Sequence, residues 1–408
     1  MNHSEIIIIG AGASGMMAAI SAARNHAKVM ILEHTDRFGK KILATGNGRC
    51  NLTNMIQDTS CYRSNNIGFQ NSILEQFDVN TTLKLFDEIG ICVKNKNGYI
   101  YPNSEQASSV LDVLRMELEH LKVKVICNVN VNQIKKTGNS FCIHTDFQNY
   151  NCNRVIIATG SKASPKTGSD GSGYTLAKSF GHCVIKPLPA LVQLKCEGDF
   201  FKKLAGVRCE ARLNLIVEGQ ENVRDKGEVQ LTDYGISGIP TFQISRFAVR
   251  ALDAKKEVKV AIDFMPDIEL EAFRVLLKNR IQNSSYKNLE QLFIGLFNNK
   301  LISVLIKKAN LSGHLLCSNL TDKQMHSLEE CIKNFKVTVT GFHSFDSAQV
   351  CSGGVDTTEL SSTTLESLKV PGLYFAGEVV DIDGICGGYN LQWAWSSGYV
   401  AGQSASNN

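Results

Sequence analysis

The sequence predicts an α/β protein in which a Rossmann-like dinucleotide-binding domain is interrupted by an inserted domain of mixed strands and helices. Three observations predict this class. A glycine turn, GAGASG, directly follows an apolar run near the start of the chain. A second glycine-rich segment lies near the other end. Between them, from residue 191 onwards, the sequence predicts a run of strands followed by a run of helices, unlike the strand–helix–strand unit at the start of the chain.

The first forty residues predict one strand–turn–helix–strand unit. Apolar residues 6–9 precede the turn, a helix of small residues begins near Gly15, and Glu33 ends the next strand. Gly10 permits the tight turn, and Gly12 lets a pyrophosphate approach the free N–H groups of the helix. Glu33 is placed to accept a hydrogen bond from an adenosine ribose. The pattern therefore predicts dinucleotide binding, but by itself it does not separate FAD from NAD.

A polar loop over residues 34–66 follows the ribose acid. Within it, Lys41 and Arg49 can pair with phosphate or with a reduced flavin. The glycines at residues 46 and 48 let the backbone lie against a flat ring. A solvated basic loop without a ligand is the alternative interpretation.

Residues 123–160 predict a β-meander that returns to the main sheet. A different pattern of strands and helices follows in the insert. Within the insert, residues 191–262 predict strands with a glycine-containing turn segment at 232–238, and residues 267–335 predict helices. The predicted division is a first part of the dinucleotide-binding domain at 1–190, an inserted substrate domain at 191–342 and a closing part of the first domain at 343–408.

The closing part favours flavin over nicotinamide. An apolar strand leads into Gly377 and Glu378, and a glycine pair ending at Gly388 opens a helix that begins near Asn390. The N-terminus of this helix would stabilise the negative charge that gathers at N1 and the C2 carbonyl of a reduced flavin. The alternative is a core helix whose two tryptophans only pack.

Composition excludes several classes of protein. Lys and Arg number 43 against 39 Asp and Glu, and a net charge of +4 over 408 residues indicates no particular partner. The thirteen cysteines contain no C-x-x-C pair, so neither a disulfide framework nor a zinc ribbon is predicted. We expect reduced thiols in a cytoplasmic protein with no membrane span and no bound metal.

The quoted segments resemble a known family. The opening GAGASG with its acid, the loop GKKILATGNGRCNLTN, the segment GEVQLTDYGISGIP and the closing GLYFAGEVVDIDGICGGYNLQWAWSSGYVAGQ are similar to the YhiN/BaiN-like FAD-binding flavoproteins, also named aminoacetone-oxidase-like. The likeness covers nearly the whole chain. It implies an FAD-binding domain of the glutathione-reductase type with a family-specific insert.

The resemblance and the glycine turns together give a set of expected cofactor-binding residues. The resemblance assigns the pyrophosphate to residues 14–15 and the adenine to the backbone of Val131. It assigns the ribityl chain and the flavin ring to Glu378, Asn390 and Leu391. The full set is Gly10, Gly12, Ala13, Ser14, Gly15, Glu33, Lys41, Gly46, Asn47, Gly48, Arg49, Cys50, Asn51, Val131, Ala158, Thr159, Gly160, Gly377, Glu378, Gly388, Asn390 and Leu391.

No catalytic residue is assigned from the sequence. Tyr234, His343, Asp381 and Asp383 are candidates for proton transfer because each is predicted in a loop facing the presumed cleft, and Cys50 is a thiol within a flavin loop. No second G-x-G-x-x-G occurs, so NADH or NADPH is expected only as a transient reductant.

We therefore predict an FAD-dependent oxidoreductase, and more closely a reductase of an unsaturated or carbonyl-containing small molecule. One alternative is an RNA-modifying or RNA-binding flavoprotein, based on lysine pairs at 202–203, 255–256 and 307–308 of the insert. Another is a non-catalytic flavin redox sensor. Charge runs are usually solvated faces, and no aromatic platform accompanies these lysines, so no nucleic-acid partner is expected.

Overall fold

The chain folds as two units in the computed structural model, which describes residues 3–407. One unit runs to Pro189 and resumes at Ala348, and the other is Ala190–Ser347. The second unit ends later than the predicted residue 342, and it includes His343, which the sequence analysis assigned to the closing part.

The opening part of the first unit alternates strands and helices. Its helices are α1 Ala13–Arg24, α2 Lys40–Ala44, α3 Asn71–Gln76, α4 Val79–Glu88, α5 Ala107–His120 and α6 Ser172–Ser179. Its strands are β1 His3–Ile9, β2 Val29–Leu32, β3 Thr53–Asn54, β4 Tyr62–Arg63, β5 Val93–Lys96, β6 Tyr99–Pro102, β7 Lys124–Ile126, β8 Val131–Thr137, β9 Ser140–Thr145, β10 Asn149–Ile157 and β11 Val184–Ala190.

The second unit contains a closed barrel of strands, with helices between them along the chain. Its strands are β12 Leu194–Cys196, β13 Arg208–Val217, β14 Gln220–Leu231, β15 Gly235–Gly238, β16 Val258–Asp263 and β17 Phe335–Phe342. Its helices are α7 Phe201–Leu204, α8 Ile239–Asp253, α9 Leu270–Asn283, α10 Leu289–Phe293, α11 Asn299–Lys308 and α12 Asp322–Lys333. The strands close in the order β12, β15, β14, β13, β16, β17.

The structure corrects two predictions inside the insert. Residues 235–238 of the predicted turn segment form strand β15, which pairs with both β12 and β14, and only residues 232–234 lie outside a strand. The region predicted as strands up to residue 262 also contains helix α8. Pro240 stands in the first turn of α8, where a missing N–H costs nothing, and Ile244 and Ala248 bury one face of the helix.

The closing part returns to the first unit. Its elements are β18 Val350–Val355, β19 Leu373–Phe375, β20 Asp383–Gly384 and α13 Tyr389–Asn407. Strand β19 adds to the main sheet in parallel with β10, which confirms the Rossmann-type fold with a returning final segment.

The main sheet brings three turns to one edge. Strands β7, β2, β1, β10 and β19 are parallel, while β9 and β8 extend the sheet antiparallel. Residues 6–9 of β1 are buried, as expected for a central strand. Ala158 N donates to Ile9 O at 2.9 Å, and Ala376 N donates to Ile157 O at 3.0 Å. The segments after β1, β10 and β19 therefore leave the sheet side by side, where ligands bind in such folds.

Helices α1 and α13 cross at very close range. A Cβ atom at Gly398 would lie 2.4 Å from Ser14 O, and one at Gly402 would lie 2.2 Å from Ala18 O. Ser21 Oγ also donates to Tyr399 O at 2.8 Å. The small residues of both helices thus hold the opening and closing parts of the chain together.

Within residues 3–407, no helix has the length and apolar character that a membrane crossing requires.

Candidate functional site

The first glycine turn has the geometry that a pyrophosphate requires. Gly10 has φ +100, and a Cβ atom there would lie 2.6 Å from Ala158 O. A Cβ atom at Gly15 would lie 2.0 Å from Gly10 O. At Gly12, in contrast, a Cβ atom would meet nothing within 4 Å. The turn therefore packs closely against neighbouring backbone on one side. On the other side it is open beside the first N–H groups of α1, from Ala13 onwards.

The ribose acid is already oriented by the backbone. Ala11 N donates to Glu33 Oε2 at 2.8 Å and Thr35 N donates to Oε1 at 2.8 Å, while the Thr35 hydroxyl lies 2.8 Å from both Oε1 and Arg37 O. A carboxylate offers about four acceptor positions, so at least one remains for a ribose hydroxyl. Val129 N donates to Glu33 O at 3.0 Å. This contact brings the segment that leads into Val131, at the start of β8, next to the ribose acid.

The segment after β10 packs against the first glycine turn. Ala158 is buried, and its carbonyl oxygen lies against Gly10. A Cβ atom at Gly173 would lie 1.9 Å from Thr159 Oγ1, so Thr159 packs against the start of α6. Gly160 has φ +74, which turns the chain away from the sheet.

The loop after α2 is exposed to solvent and has a left-handed backbone conformation. Gly46, Asn47 and Gly48 have φ values of 56°, 54° and 82°, and all three are exposed. Arg49 is also exposed, with its guanidinium carbon 6.0 Å from the centre of the Tyr101 ring. Two glycines and the short side chain of Asn47 leave this run without bulky side chains. Its contact with a flat ring stays a prediction.

Asn51 connects this loop to the closing helix. With its amide oxygen facing Gly388 N at 3.2 Å, its amide nitrogen donates to Ile100 O at 3.1 Å and to Thr53 O at 3.0 Å. Gly388 has φ +96, and a Cβ atom there would lie 2.7 Å from the Thr53 backbone. Asn51 therefore acts by holding the loop against the start of α13.

The closing loop touches the first turn. Ser14 Oγ lies 3.4 Å from Ala376 O, and a Cβ atom at Gly377 would lie 2.4 Å from that hydroxyl. Gly377 N donates to Ser397 Oγ at 2.9 Å, and Trp393 Nε1 donates to Gly377 O at 3.1 Å. Because its hydroxyl faces the closing loop, Ser14 can meet a phosphate only through its backbone N–H.

Lys41 contacts the closing loop. Its Nζ forms an ion pair with Glu378 Oε2 at 2.6 Å, and Ser161 Oγ donates to the same oxygen at 3.0 Å. An ammonium group carries three donors, so this pair leaves Lys41 able to meet a phosphate or a reduced flavin as well, and that contact stays a prediction.

The side chain of Asn390 is hydrogen-bonded to the backbone of the closing loop. Gly384 N donates to Asn390 Oδ1 at 2.8 Å, and Asn390 Nδ2 donates to Gly384 O at 2.9 Å. The first intrahelical bond of α13 runs from Gln392 N to Gly388 O. Helix geometry consequently leaves the N–H groups of Asn390 and Leu391 as the parts that can meet a ligand.

A buried polar network behind α13 was not predicted. Gln392 accepts from Thr53 Oγ1 at 2.6 Å and donates to Thr82 Oγ1 at 2.8 Å. Trp395 Nε1 donates to Leu52 O at 3.0 Å, so this tryptophan does more than pack. These contacts join segments that are hundreds of residues apart, and no local spacing signals them.

These residues fit FAD. An open space lies beside a glycine turn and a helix start, an oriented acid has a free acceptor position, and a second helix start is contributed by the closing segment.

Comparison with known proteins decides the family. The family described as HI0933-like protein Rossmann domain matches residues 4–404. The chain belongs to this HI0933-like family. It is 46% identical over 404 residues to a 3-dehydro-bile acid delta(4,6)-reductase of Clostridium scindens, covering 98% of this chain and 99% of the relative. It is 31% identical to a ribosomal RNA dihydrouridine synthase of Escherichia coli, covering 99% and 98%.

Solved structures share the fold of this HI0933-like chain. The 3-ketosteroid-delta4-(5alpha)-dehydrogenase of Rhodococcus jostii RHA1 has a TM-score of 0.50 and 14% identity, covering 100% of this chain and 97% of that one. A flavocytochrome c3 fumarate reductase also has a TM-score of 0.50, with 13% identity and 100% and 78% coverage. The HI0933-like chain is an FAD-dependent oxidoreductase.

Two proton-transfer candidates are wrong. Asp381 is 0% exposed and Asp383 is 2% exposed, so neither carboxyl faces a cleft. Asp381 Oδ2 accepts from Asn65 N at 2.9 Å, which fixes a loop of the HI0933-like fold. Asp383 lies in β20, paired with Arg63 of β4.

Cys50 is also unsuited to catalysis. The thiol is buried, and burial raises its pKa to about 11, although a hydrogen bond with Thr45 opposes the shift. A thiol with this pKa stays protonated at neutral pH and is a poor nucleophile. In the HI0933-like chain all thirteen cysteines are free thiols.

Tyr234 and His343 come together in the second unit. Their ring centres lie 4.4 Å apart. Burial lowers the pKa of His343, and nearby Lys195 lowers it further, while Asp233 opposes the shift. His343 is therefore neutral at pH 7, with one ring nitrogen as a donor and the other as an acceptor. Both residues stay candidates for proton transfer.

A Ser–His–Glu array elsewhere in the first unit is structural. His182 bonds to Glu359 at 3.0 Å through Nδ1 and to Ser367 Oγ at 2.8 Å through Nε2. Ser367 is 5% exposed and accepts the backbone N–H of Lys369 and Val370. A buried hydroxyl used in this way cannot act as a nucleophile on a substrate.

Proposed function

We propose that this protein is an FAD-dependent reductase that saturates a carbon–carbon double bond conjugated to a carbonyl group in a small organic molecule. The observation that carries this proposal is the 46% identity over almost the full chain to a reductase of a 3-dehydro bile acid. The intact dinucleotide turn and closing helix supply the cofactor site that the reaction needs.

The names of the relatives point to one kind of reaction. A 3-dehydro delta(4,6) compound carries a ring ketone beside two double bonds, and the relative is named for reducing them. Dihydrouridine arises when the ring double bond of uridine, which is conjugated to a carbonyl, is saturated. In both substrates a double bond conjugated to a carbonyl can accept hydride at its carbon farther from the carbonyl group. The names therefore favour a substrate whose double bond is activated by a carbonyl.

The protein contributes binding and electrostatics to this reaction. FAD, when bound, supplies hydride from its ring. The start of α1 would bind the diphosphate, and Glu33 would accept a hydrogen bond from the adenosine ribose hydroxyl. The positive dipole end of α13, directed at the ring, would favour a negatively charged reduced state by about 0.3–1 kcal/mol.

NADH or NADPH is the proposed source of electrons. The chain contains one G-x-G-x-x-G-type turn, and FAD takes it. The nicotinamide would bind transiently and leave after reducing the cofactor.

An RNA uridine is the second candidate substrate. Two relatives at 31% identity are named ribosomal RNA dihydrouridine synthases, from Escherichia coli and Haemophilus influenzae. The lysine pairs of the insert, at 202–203, 255–256 and 307–308, are all exposed. Higher identity to the bile acid reductase favours the small molecule, and the sequence analysis expected no nucleic-acid partner.

Anaerobic stopped-flow absorbance tests both candidates. The flavin of the loaded protein is first bleached with NADH or NADPH, and the protein is then mixed with a 3-oxo-delta(4,6) bile acid, with its saturated 3-oxo analogue as a matched control, or with unmodified ribosomal RNA. We expect the conjugated bile acid to reoxidise the flavin and the saturated analogue to leave it reduced, with the saturated product identified by mass spectrometry. Reoxidation by RNA alone, with dihydrouridine formed, would transfer the proposal to the second candidate. No bleaching by either nucleotide would exclude both as electron donors.

A further inference from the structure

Three segments of the first unit meet at the carboxylate of Glu378. Lys41 lies in α2, Ser161 follows β10, and Glu378 follows β19. Lys41 Nζ lies 2.6 Å from Glu378 Oε2, and Ser161 Oγ lies 3.0 Å from the same atom. Both donors therefore act on one oxygen of the carboxylate.

The other oxygen is left for a ligand. Within residues 3–407, Glu378 Oε1 receives no hydrogen bond. The Glu378 side chain is 17% exposed, so the carboxylate is not sealed from solvent. Ser161 is 0% exposed, and its hydroxyl accepts from Ala163 N at 3.2 Å. The hydroxyl has a single hydrogen, and because the Ala163 N–H occupies a lone pair of the oxygen, that hydrogen is available to Glu378.

The position of this carboxylate along the cofactor follows from its neighbours. Gly377, the preceding residue, contacts Ser14 at the start of α1, where the diphosphate binds. Gly39, which caps the helix that carries Lys41, donates its N–H to Ala11 O at 3.0 Å. In FAD, the segment next to the diphosphate is the ribityl chain, which carries hydroxyl groups. An unpartnered carboxylate oxygen at this place is an acceptor for such a hydroxyl.

We propose that Lys41 and Ser161 are positioning residues. They fix Glu378 so that Oε1 accepts from a ribityl hydroxyl, and Lys41 also cancels the charge of Glu378 near the redox ring. This inference needs FAD binding only and does not depend on the proposed substrate.

The charge balance makes the proposal measurable. A reduced flavin carries additional negative charge, and an uncompensated carboxylate nearby makes reduction less favourable. Lys41→Met should lower the reduction equilibrium constant about tenfold, which is about 30 mV for a two-electron couple. Lys41→Arg keeps the charge and should restore the potential. Lys41→Met combined with Glu378→Gln removes both charges, keeps an acceptor oxygen, and should also return the potential toward the wild-type value.

The experiment is spectroelectrochemistry of the FAD-loaded variants, with the dissociation constant of FAD measured in parallel. The matched control is Lys40→Met, because Lys40 is the adjacent lysine and pairs with Asp36 instead.

Ser161→Ala should weaken FAD binding at least threefold without unfolding the protein. Equal potentials for Lys41→Met, Lys40→Met and the wild type would overturn the charge role, and unchanged FAD binding in Ser161→Ala would overturn the positioning role. If Lys41→Met binds too little FAD for titration, recovery of binding in the double variant supports the proposal and continued loss contradicts it. No substrate enters these measurements, so they stand even if the substrate assignment fails.

Discussion

Gly12 has a different role from the two glycines beside it. Gly10 and Gly15 are required by the protein itself, since a side chain at either would strike backbone within 2.6 Å and 2.0 Å. Gly12 has φ −80 and ψ −169, which any residue adopts, and no atom lies within 4 Å of its Cβ position. The space beside Gly12 is therefore open to a ligand.

Gly12→Ala should separate cofactor binding from folding. The added methyl group occupies the position of the diphosphate, so we expect FAD to bind at least about tenfold more weakly, a loss of about 1.4 kcal/mol. The thermal midpoint of the FAD-free protein should not change. Fluorescence titration and thermal unfolding measure the two quantities. Unaltered FAD affinity would show that the diphosphate does not bind there.

Single residues also mark the limit of the sequence analysis. The glycines and Glu33 were predicted because one local segment contains their whole signal. Ser161 and Gln392 were missed, since each acts on a residue from a distant segment. Asp381 and Asp383 were misjudged for the same reason: their burial depends on contacts that spacing does not contain.

At the level of elements, the crossing of α1 and α13 holds the cofactor site together. Gly398 and Gly402 allow the two helices to touch at their backbones, so that the helix starts belong to one site. A GxxxG spacing is visible in the sequence, but its partner helix is not.

Gly402→Val tests this crossing. A side chain at residue 402 would meet Ala18 O at 2.2 Å, and the helices would have to separate. Overpacking of this kind costs about 1–3 kcal/mol, and we expect a lower thermal midpoint together with weaker FAD binding. Ser404→Val, at a half-exposed position of the same helix, is the control for helix propensity. Equal midpoints for the two variants would argue against a close crossing.

Helix α8 shows why one element was mispredicted. Its sequence IPTFQISRFAVRALD is rich in β-branched and aromatic residues, which favour strands. Burial at Ile244, Ala248 and Ala251 nevertheless follows helical spacing. Packing in the second unit overrides local preference there, and only the tertiary structure contains that information.

Across the whole molecule, segments from the opening and closing parts of the chain lie together at the predicted FAD site. The sequence predicts this arrangement because it contains a glycine-rich segment in each part, with an insert of different strand and helix pattern between them. The substrate is less predictable, because residues that bind the cofactor carry little information about what is reduced.

Hydrogen–deuterium exchange of the FAD-loaded and FAD-free protein tests the shared site most directly. We predict that FAD slows exchange together at the amides of residues 12–16, 46–51 and 388–392. Protection at 12–16 with no change at 388–392 would contradict the account, because the closing helix would then take no part in binding FAD.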